Sequence, residues 1–333
     1  MKSLKSTALC FMLITSFFTK LNAQNKEAQV ILDKTIEIMK NNSSNSNGVD
    51  WSKITVKANE LAKDAKNPED LGNSIRYLFQ SLGDFHGRFG YKDSVFNWQK
   101  EKIKLTDEYR TAFKQKGNKF FTQQLGEVGY LRIPMTPQEI TKERAQALQD
   151  SLCQLLRVKP KGLIFDLRLN YGGTMWPMIL GVNKVLKKGV VGGFIDSKNE
   201  VKNWIVDDES IYEDKTKITS ISSNCSPNLE IPLVVIIGPW TASAAEDLIV
   251  ALKTRPNTTF IGEPTTGAVS VVNGFKIDND SWINLSIAHL IDKNKTLYKD
   301  KIHPDILVKG GDNLSNLEKD SKVKSALKHI MLK

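Results

Sequence analysis

The sequence predicts an α/β fold in which a mainly helical N-terminal region precedes a larger domain of alternating strands and helices. Residues 25–85 contain three segments with apolar residues at helical spacing. Further along, the segments 161–169 (KGLIFDLRL) and 231–239 (IPLVVIIGP) are apolar almost throughout, and a helical pattern follows each. Such strands are typical of βαβ units, in which helices cover both faces of the sheet.

The N-terminal region is assigned to residues 24–115. Its three helical patterns lie within 25–41, 51–65 and 69–85, and the polar stretch NNSSNSNG separates the first two. Apolar residues recur every three or four positions in these segments, which indicates helices with one buried face.

From residue 116 the pattern becomes that of a mixed domain, which we assign to residues 116–333. Residues 119–134 are predicted to form a hairpin that turns near Gly126 and Glu127. The other predicted elements are helices at 136–158, 176–188 and 244–253, buried strands at 161–169 and 231–239, and short alternating strands within 270–308.

The first 23 residues have the layout of a signal peptide. Lys2 and Lys5 precede an apolar run from Ala8 to Phe18, and the segment ends on the small residue Ala23. The run is too short to span a bilayer, and no later stretch approaches 18 apolar residues. We therefore expect an exported protein, periplasmic or secreted, with no transmembrane segment after processing.

The cysteines leave two questions open. Cys10 lies inside the apolar run and follows Leu9, where lipid attachment would require a small residue, so a lipid anchor is the lesser alternative. Cys153 and Cys225 remain after processing and lack C-x-x-C spacing. Two thiols in so long a chain do not form a disulfide framework, although a single bridge between them is possible.

Charge and motifs exclude several functions. The formal charge of +10 falls to about +7 once Lys2, Lys5 and Lys20 are removed. The lysines are scattered among acids, and no arginine-rich stripe interleaved with aromatic residues is present, so we expect no nucleic-acid partner. The chain also lacks a P-loop, a G-x-G-x-x-G after a strand and an H-E-x-x-H, so we expect neither a cofactor nor a metal.

The candidate chemistry lies where the two buried strands end. The first is followed by Asn170, Tyr171, Gly172 and Gly173. Consecutive glycines between a strand and a helix allow backbone N–H groups to bind a developing negative charge, although a tight turn also requires them. The second strand leads to Ser243 at the start of a helix, where serine is more often a cap than a nucleophile.

Two features favour the nucleophile at Ser243. The neighbouring Ala242, Ala244 and Ala245 are small, which leaves room for a substrate carbonyl. The helix N-terminus supplies free N–H groups and the positive end of the helix dipole. Lipases use the same strand–turn–helix geometry, but their G-x-S-x-G signature is absent here.

Four short motifs resemble, in order, those of the carboxyl-terminal-processing and tricorn-like serine peptidase family. They are 166–173 (DLRLNYGG), 241–253 (TASAAEDLIVALK), 260–267 (FIGEPTTG) and 301–308 (KIHPDILV). The resemblance covers roughly residues 125–310, and LGDFHGRF (82–89) is similar to the family's L-x-D-x-H segment. It implies a ClpP/crotonase-like core, Ser243 as the nucleophile, and an oxyanion hole built from the N–H of Ala244 and of Gly172 or Gly173.

The branch of the family decides the general base. The carboxyl-terminal-processing branch places a Lys directly after its G-E-x-T-x-G segment, but here Ala268 follows Gly267, and the usual PDZ insertion is missing. The tricorn and retinoid-binding-protein-like branch uses a His from the helical region, and His86 stands at the matching position. An imidazole is mostly neutral near pH 7 and so can accept a proton from serine. His303, next to Pro304, is the alternative.

The residue that orients the histidine departs from the family pattern. Tricorn-like enzymes place a Glu just before a G-x-x-P-D segment, whereas residues 298–305 are one residue shorter and carry a Lys there. Asp300 is the nearest carboxylate and is our choice for this role, and Asp84 is the fallback. Phe85 also stands where the family commonly has Ser.

The sequence thus predicts an exported serine peptidase that hydrolyses peptide bonds in a peptide or protein substrate. Ser243 would form the acyl-enzyme, His86 would be the general base and Asp300 would orient it. Two alternatives stay open: a binding protein that keeps the fold without turnover and holds a peptide or apolar ligand, and a hydrolase acting on acyl groups other than peptides. The substrate sequence and the oligomeric state do not follow from the sequence.

Overall fold

The computed structural model describes residues 26–99, 103–104, 106–116, 119–136, 141–223 and 225–332. The expected signal peptide, residues 1–23, and Cys10 within it lie outside these residues. The chain divides into two compact units. The first consists of the described residues within Met1–Glu101 and Val271–Ala288, and the second of those within Lys102–Ser270 and His289–Lys333.

The helices and strands are numbered in chain order. The helices are α1 (26–42), α2 (Trp51–Ala62), α3 (Gly72–Ser81), α4 (Asp107–Lys116), α5 (Lys142–Arg157), α6 (Trp176–Gly181), α7 (Ala244–Lys253) and α8 (Ser321–Met331). The strands are β1 (Arg88–Tyr91), β2 (Ser94–Phe96), β3 (Phe121–Leu125), β4 (Val128–Arg132), β5 (Gly162–Asp166), β6 (Gly189–Asp196), β7 (Val201–Val206), β8 (Ser210–Glu213), β9 (Thr216–Ser220), β10 (Leu233–Ile237), β11 (Thr258–Gly262), β12 (Ser270–Lys276), β13 (Ser281–Asp292), β14 (Leu297–Tyr298) and β15 (Ile306–Leu307).

The first unit contains the three helices predicted near the N-terminus. The second of them, α2, begins after Asp50, whose carboxylate accepts the N–H groups of Ser52 and Lys53 and so caps the helix. The three helices bury their apolar stripes in one core. This core includes Ile31, Leu32, Met39, Ala58, Ile75, Leu78 and Phe79.

The first unit also contains antiparallel strands, which the helical prediction for residues 24–115 missed. Strand β1 pairs with β2 and with β13, and the register places Arg88 opposite Asn284 and Tyr91 opposite Ser281. Residues 271–288 therefore belong to the first unit. Helix α4 belongs to the second unit, where Tyr109 packs with the buried Leu314. The units accordingly differ from the predicted division after residue 115, because these pairings join segments that are far apart in the chain.

The central sheet of the second unit has the strand order β15–β11–β10–β5–β4–β3. Strands β4, β5, β10, β11 and β15 are parallel neighbours, and β3 is antiparallel to β4. The predicted hairpin is confirmed in β3 and β4, and Gly126 in its turn has a φ of +59°. The carboxyl ends of parallel strands share one edge of a sheet, so the segments after β4, β5 and β10 meet there.

Both faces of the central sheet are covered, as the apolar strands predicted. Alternate residues of each strand point to opposite faces. On one face Leu163, Phe165 and Val235 share a core with α5, α6 and α7. On the other face Ile164, Val234 and Ile236 share a core with Val323, Ala326 and Ile330 of α8. This layered arrangement confirms the α/β fold class.

Some element boundaries differ from the prediction. Helix α5 begins at Lys142 rather than near 136, because the Thr141 hydroxyl accepts the N–H of Arg144 and caps it. Helix α6 ends at Gly181 and is followed by a short 3₁₀ turn, Asn183–Val185, whereas a helix to 188 was predicted. Strands β6, β7, β8 and β9 form an antiparallel meander that was not predicted.

A disulfide bond joins Cys153 of α5 to Cys225, with the two Cα atoms 5.6 Å apart. The possible bridge between the two cysteines is therefore present. Among the described residues, no helix combines the length and the apolar character needed to cross a membrane.

Candidate active site

Ser243 occupies the sharp turn between β10 and α7. Its backbone has φ +54° and ψ −125°, a conformation that L-residues other than glycine rarely adopt. Ser243 is half-buried and lies at the edge of the sheet where β10 ends. Strained backbone of this kind is concentrated at functional sites, and a nucleophile on a strand–turn–helix corner is one such case.

Glu246, in the first turn of α7, holds this turn in place. Its Oε2 atom accepts the N–H of Ser243 at 2.9 Å. Its Oε1 atom accepts the hydroxyl of Thr265 at 2.5 Å and the N–H of Gly267 at 2.8 Å. The carboxyl is fully buried, and burial raises its pKa to about 7 against the lowering effect of these hydrogen bonds. One side chain thus connects the Ser243 backbone to the loop after β11.

The glycine loop after β5 packs directly against Ser243. Gly172 and Gly173 have φ values of +116° and +105°. A Cβ atom added to Gly172 would lie 2.9 Å from the Ser243 Cβ, and one added to Gly173 would lie 1.4 Å from the carbonyl oxygen of Thr136. Any side chain at either position would push the loop away from its neighbours, so both glycines are required here.

Hydrogen bonds fix the orientation of the glycine peptides. The side-chain oxygen of Asn170 accepts the N–H of Gly172 at 3.1 Å. The N–H of Thr136 donates to the carbonyl of Gly172 at 3.0 Å. Because C=O and N–H point in opposite directions across a trans peptide, the N–H of Gly173 points away from Thr136. The N–H of Ala242 donates to the carbonyl of Asn170 at 3.1 Å, which joins the glycine loop to the serine turn.

Two N–H groups beside Ser243 have no acceptor among the described residues: that of Gly173 and that of Ala244, the first residue of α7. The first N–H groups of a helix have no partner within the helix. The N–H of Gly172 is already bonded to Asn170. Of the two glycines that the resemblance implied as donors, Gly173 is therefore the one with an available N–H group.

A buried ion network supports the end of β5. The guanidinium of Arg168, which is fully buried, donates to Asp166, Asp312 and Asp320 at 2.7 Å each. Although burial opposes it, the charge of Arg168 and its hydrogen bonds hold the pKa of Asp166 well below the usual range. This network fixes the segment from which the glycine loop emerges.

His86 belongs to the first unit, in the loop between α3 and β1. His86 is half-buried, and its backbone N–H donates to Asp84 Oδ1 at 3.1 Å. Asp84 is buried and also accepts the N–H of Gly87 at 2.8 Å, the hydroxyl of Ser286 at 2.8 Å and the N–H of Ser286 at 3.0 Å. Asp84 thus shapes the backbone on which His86 is carried.

Asp300 and the other three histidines lie on different elements of the second unit. Asp300 is exposed in the loop between β14 and β15, and its backbone lies against Gly267. His303, the alternative base, is exposed in the same loop. The ring of His329 pairs with the hydroxyl of Thr259 at 2.9 Å, and His289 is buried in β13. The structure thus brings Ser243, Ala244, Gly172 and Gly173 together.

Sequence reasoning missed the residues that hold this arrangement. Glu246 lies three positions after Ser243, and this S-x-x-E spacing is the signal of a capping box. Asn170 lies two positions before Gly172, a spacing typical of a side chain that bonds to the backbone of a turn. No local signal indicates Thr136, because it meets the glycine loop through a contact between distant segments.

Comparison with known proteins gives a consistent result. Residues 127–308, more than half of the chain, match peptidase family S41. The nisin-resistance protein of Lactococcus lactis subsp. lactis is 29% identical over 146 residues, which are 44% of this chain and 45% of that protein. The carboxy-terminal processing protease CtpA of Bacillus subtilis is 29% identical over 201 residues, 60% of this chain and 39% of that protein. The chain thus spans less than half the length of these curated relatives.

Solved structures share the fold. A lipoprotein from Streptococcus agalactiae superposes with a TM-score of 0.63 at 20% identity, covering 93% of this chain and 96% of that one. The photosystem II D1 C-terminal processing protease superposes with a TM-score of 0.55 at 17% identity, covering 88% and 96%. With the family match over residues 127–308, these likenesses confirm the resemblance found in the four motifs. The chain belongs to peptidase family S41.

Proposed function

We propose that this chain is an exported serine peptidase that cleaves peptide bonds through an acyl-enzyme on Ser243. The observation that carries the proposal is the placement of Ser243 beside two N–H groups with no acceptor among the described residues, those of Gly173 and Ala244. N–H donors that are already oriented toward the position of the developing oxyanion are a major source of rate enhancement in acyl transfer.

The proposed reaction has two halves. The Ser243 hydroxyl oxygen attacks the carbonyl carbon of the peptide bond while its proton passes to His86, and the resulting oxyanion binds the N–H groups of Gly173 and Ala244. The C–N bond then breaks, and the protonated His86 gives its proton to the leaving amine. In the second half a water molecule gives a proton to His86 and attacks the ester carbonyl carbon. The bond between that carbon and the Ser243 oxygen then breaks, the protonated His86 returns its proton to the serine oxygen, and the acid product leaves.

The assignment of His86 as the general base is supported by its chemistry and by the family motif. The four bonds to Asp84 hold its loop in one conformation, which suits a group that must be pre-oriented. Asp300 is proposed to orient the imidazole. Asp84, the fallback, is buried and already accepts the N–H groups of His86, Gly87 and Ser286 and the Ser286 hydroxyl, whereas the exposed Asp300 accepts the adjacent N–H of Lys301 at 2.8 Å.

Export is supported by two independent features. The first 23 residues have the pattern of a signal peptide. The Cys153–Cys225 disulfide is of the kind that persists in oxidising compartments outside the cytosol.

Substitutions in the mature protein test the peptidase proposal. Ser243→Ala is expected to reduce peptide hydrolysis by several orders of magnitude, on the order of 10⁴-fold or more, and His86→Ala is expected to remove most activity. His303→Ala, which changes an exposed histidine outside the proposed machinery, should retain activity and serves as the control. Hydrolysis that survives Ser243→Ala would refute the assignment. So would a His303→Ala variant that loses activity while His86→Ala keeps it.

A further inference from the structure

An aromatic platform, formed by Phe113, Tyr171 and Trp240, adjoins the two loops of the candidate site. Tyr171 directly precedes Gly172, and Trp240 lies three residues before Ser243. Phe113 of α4 packs edge-on against both, with ring centroids 5.6 Å from Tyr171 and 6.4 Å from Trp240. One continuous aromatic surface therefore links the oxyanion loop to the serine turn.

Helix α4 is anchored so that Phe113 is held in this position. Tyr109, one helical turn earlier, is buried and donates its hydroxyl to Asp312 at 3.4 Å. Its ring packs at a tilt against Phe113, with the ring centroids 6.3 Å apart. The carboxylate of Glu108 accepts the N–H of Leu314 at 2.6 Å. The aromatic residue is thus placed by the same C-terminal segment that pairs with Arg168.

The platform keeps part of its apolar surface open. Tyr171 is 49% exposed, and Phe113 and Trp240 are only half-buried. A contiguous group of exposed aromatic rings is typical of a binding surface. When a ligand binds, such rigid side chains bury a large apolar area and lose little conformational entropy.

The position of the platform determines which part of a ligand can reach it. A Cβ on Gly172 would lie 2.9 Å from the Ser243 Cβ, so the Cα of Tyr171, one residue away, lies within about 8 Å of that atom. An extended peptide advances by about 3.3 Å per residue. Side chains within two residues of a bond attacked by Ser243 therefore come within reach of the Tyr171 ring.

We propose that this aromatic platform is a specificity subsite that binds a large apolar or aromatic side chain of the peptide, within two residues of the cleaved bond. The proposal rests on the proposed peptidase function. It assigns Tyr171 as the principal contact, because Tyr171 is the most exposed ring and adjoins the glycine loop. Phe113 packs edge-on with that ring, and Trp240 packs in turn with Phe113.

Binding to the inactive Ser243→Ala protein tests the subsite separately from the chemistry. The probes are three fluorescein-labelled peptides of Gly, Ser and Ala that carry Phe, Ala or Lys at the centre. The Phe peptide is expected to bind about tenfold more tightly than the Ala peptide, as one well-packed aromatic contact provides. Adding Tyr171→Ala should abolish this difference, and Tyr171→Phe should preserve it.

The control variant is Val158→Ala. Val158 is an exposed apolar residue at the end of α5, before the amino end of β5, whereas Tyr171 follows the carboxyl end of that strand. This variant should leave the difference in affinity between the Phe and Ala peptides unchanged. Equal affinities for the Phe and Ala peptides, a preference for Lys, or a preference that survives Tyr171→Ala would overturn the subsite. Loss of hydrolysis is not among these outcomes, so failure of the peptidase proposal is recognised separately, by the activity of the unaltered protein.

Discussion

At the scale of single residues, the backbone of Ser243 is the most informative feature. A φ of +54° is unfavourable for any side chain with a Cβ, and such conformations cost of order 1–3 kcal/mol where they persist. The surrounding contacts from Glu246 and the glycine loop maintain it. The cost is consistent with a position selected for the direction of the hydroxyl rather than for stability.

This strain predicts an ordering of two inactive variants. Glycine tolerates positive φ, so Ser243→Gly should be more stable than Ser243→Ala by about 1 kcal/mol. Glycine is also a better N-cap than alanine, so part of the Gly–Ala difference in stability comes from capping. The same two substitutions at Thr141, an N-cap with an ordinary φ of −114°, measure that part. The Gly–Ala difference in urea unfolding free energy should be clearly larger at 243 than at 141. Equal differences would mean that position 243 is not strained.

Individual candidate residues could be proposed from the sequence where a local pattern exists. Small neighbours and a helix start made Ser243 a candidate, and consecutive glycines after a buried strand did the same for Gly172 and Gly173; the structure brings these residues together. Which of the two glycines has an available N–H group depends on three-dimensional geometry, because the side-chain oxygen of Asn170 accepts the N–H of Gly172.

At the scale of elements, the buried carboxyl of Glu246 couples α7 to the loop after β11. It bonds to Ser243 on one side and to Thr265 and Gly267 on the other. The two segments that flank the site therefore share one titratable group.

Stability should depend on pH through this group. Burial raises the pKa of Glu246 from 4.5 to about 7, so the folded protein binds an extra proton between these values and this carboxyl lowers stability as pH rises through that window. The expected contribution is roughly 3 kcal/mol. Urea unfolding between pH 4 and pH 8 should show this decline in the wild type and a smaller decline in Glu246→Gln. Parallel curves would mean that Glu246 does not titrate in this range.

Elements were predictable when their burial left a clear pattern of apolar residues in the sequence, either a helical spacing or a continuous run. Helix α7 matches residues 244–253, and β5 and β10 lie within the two apolar segments. The meander β6–β9 was missed because its strands have mixed burial, so they lack a continuous apolar run. The short strands β1 and β2 were missed because they are defined by pairing with β13, far along the chain.

At the scale of the whole molecule, the disulfide constrains the second unit. Cys153 and Cys225 are 72 residues apart, and the bond between them ties α5 to the segment that follows β9. A crosslink that closes a loop of this length limits the unfolded chain to a smaller set of conformations.

Removal of the crosslink should lower stability measurably. For a closed loop of this length the chain-entropy model gives about 4 kcal/mol. The double variant Cys153→Ala/Cys225→Ser should show a loss of about this size in guanidinium unfolding, with peptide hydrolysis retained under native conditions. An unchanged midpoint, with the bond verified by mass in the parent protein, would contradict this expectation.

The most direct test of the central claim is active-site labelling of the mature protein with a fluorophosphonate, followed by mapping of the modified residue by mass spectrometry. An activated serine next to an oxyanion hole reacts with such a reagent, whereas a capping serine does not. We predict an adduct on Ser243 that is absent in Ser243→Ala and strongly reduced in His86→Ala. An unmodified Ser243, with no adduct or with the adduct on another residue, would contradict the assignment of Ser243 as the nucleophile.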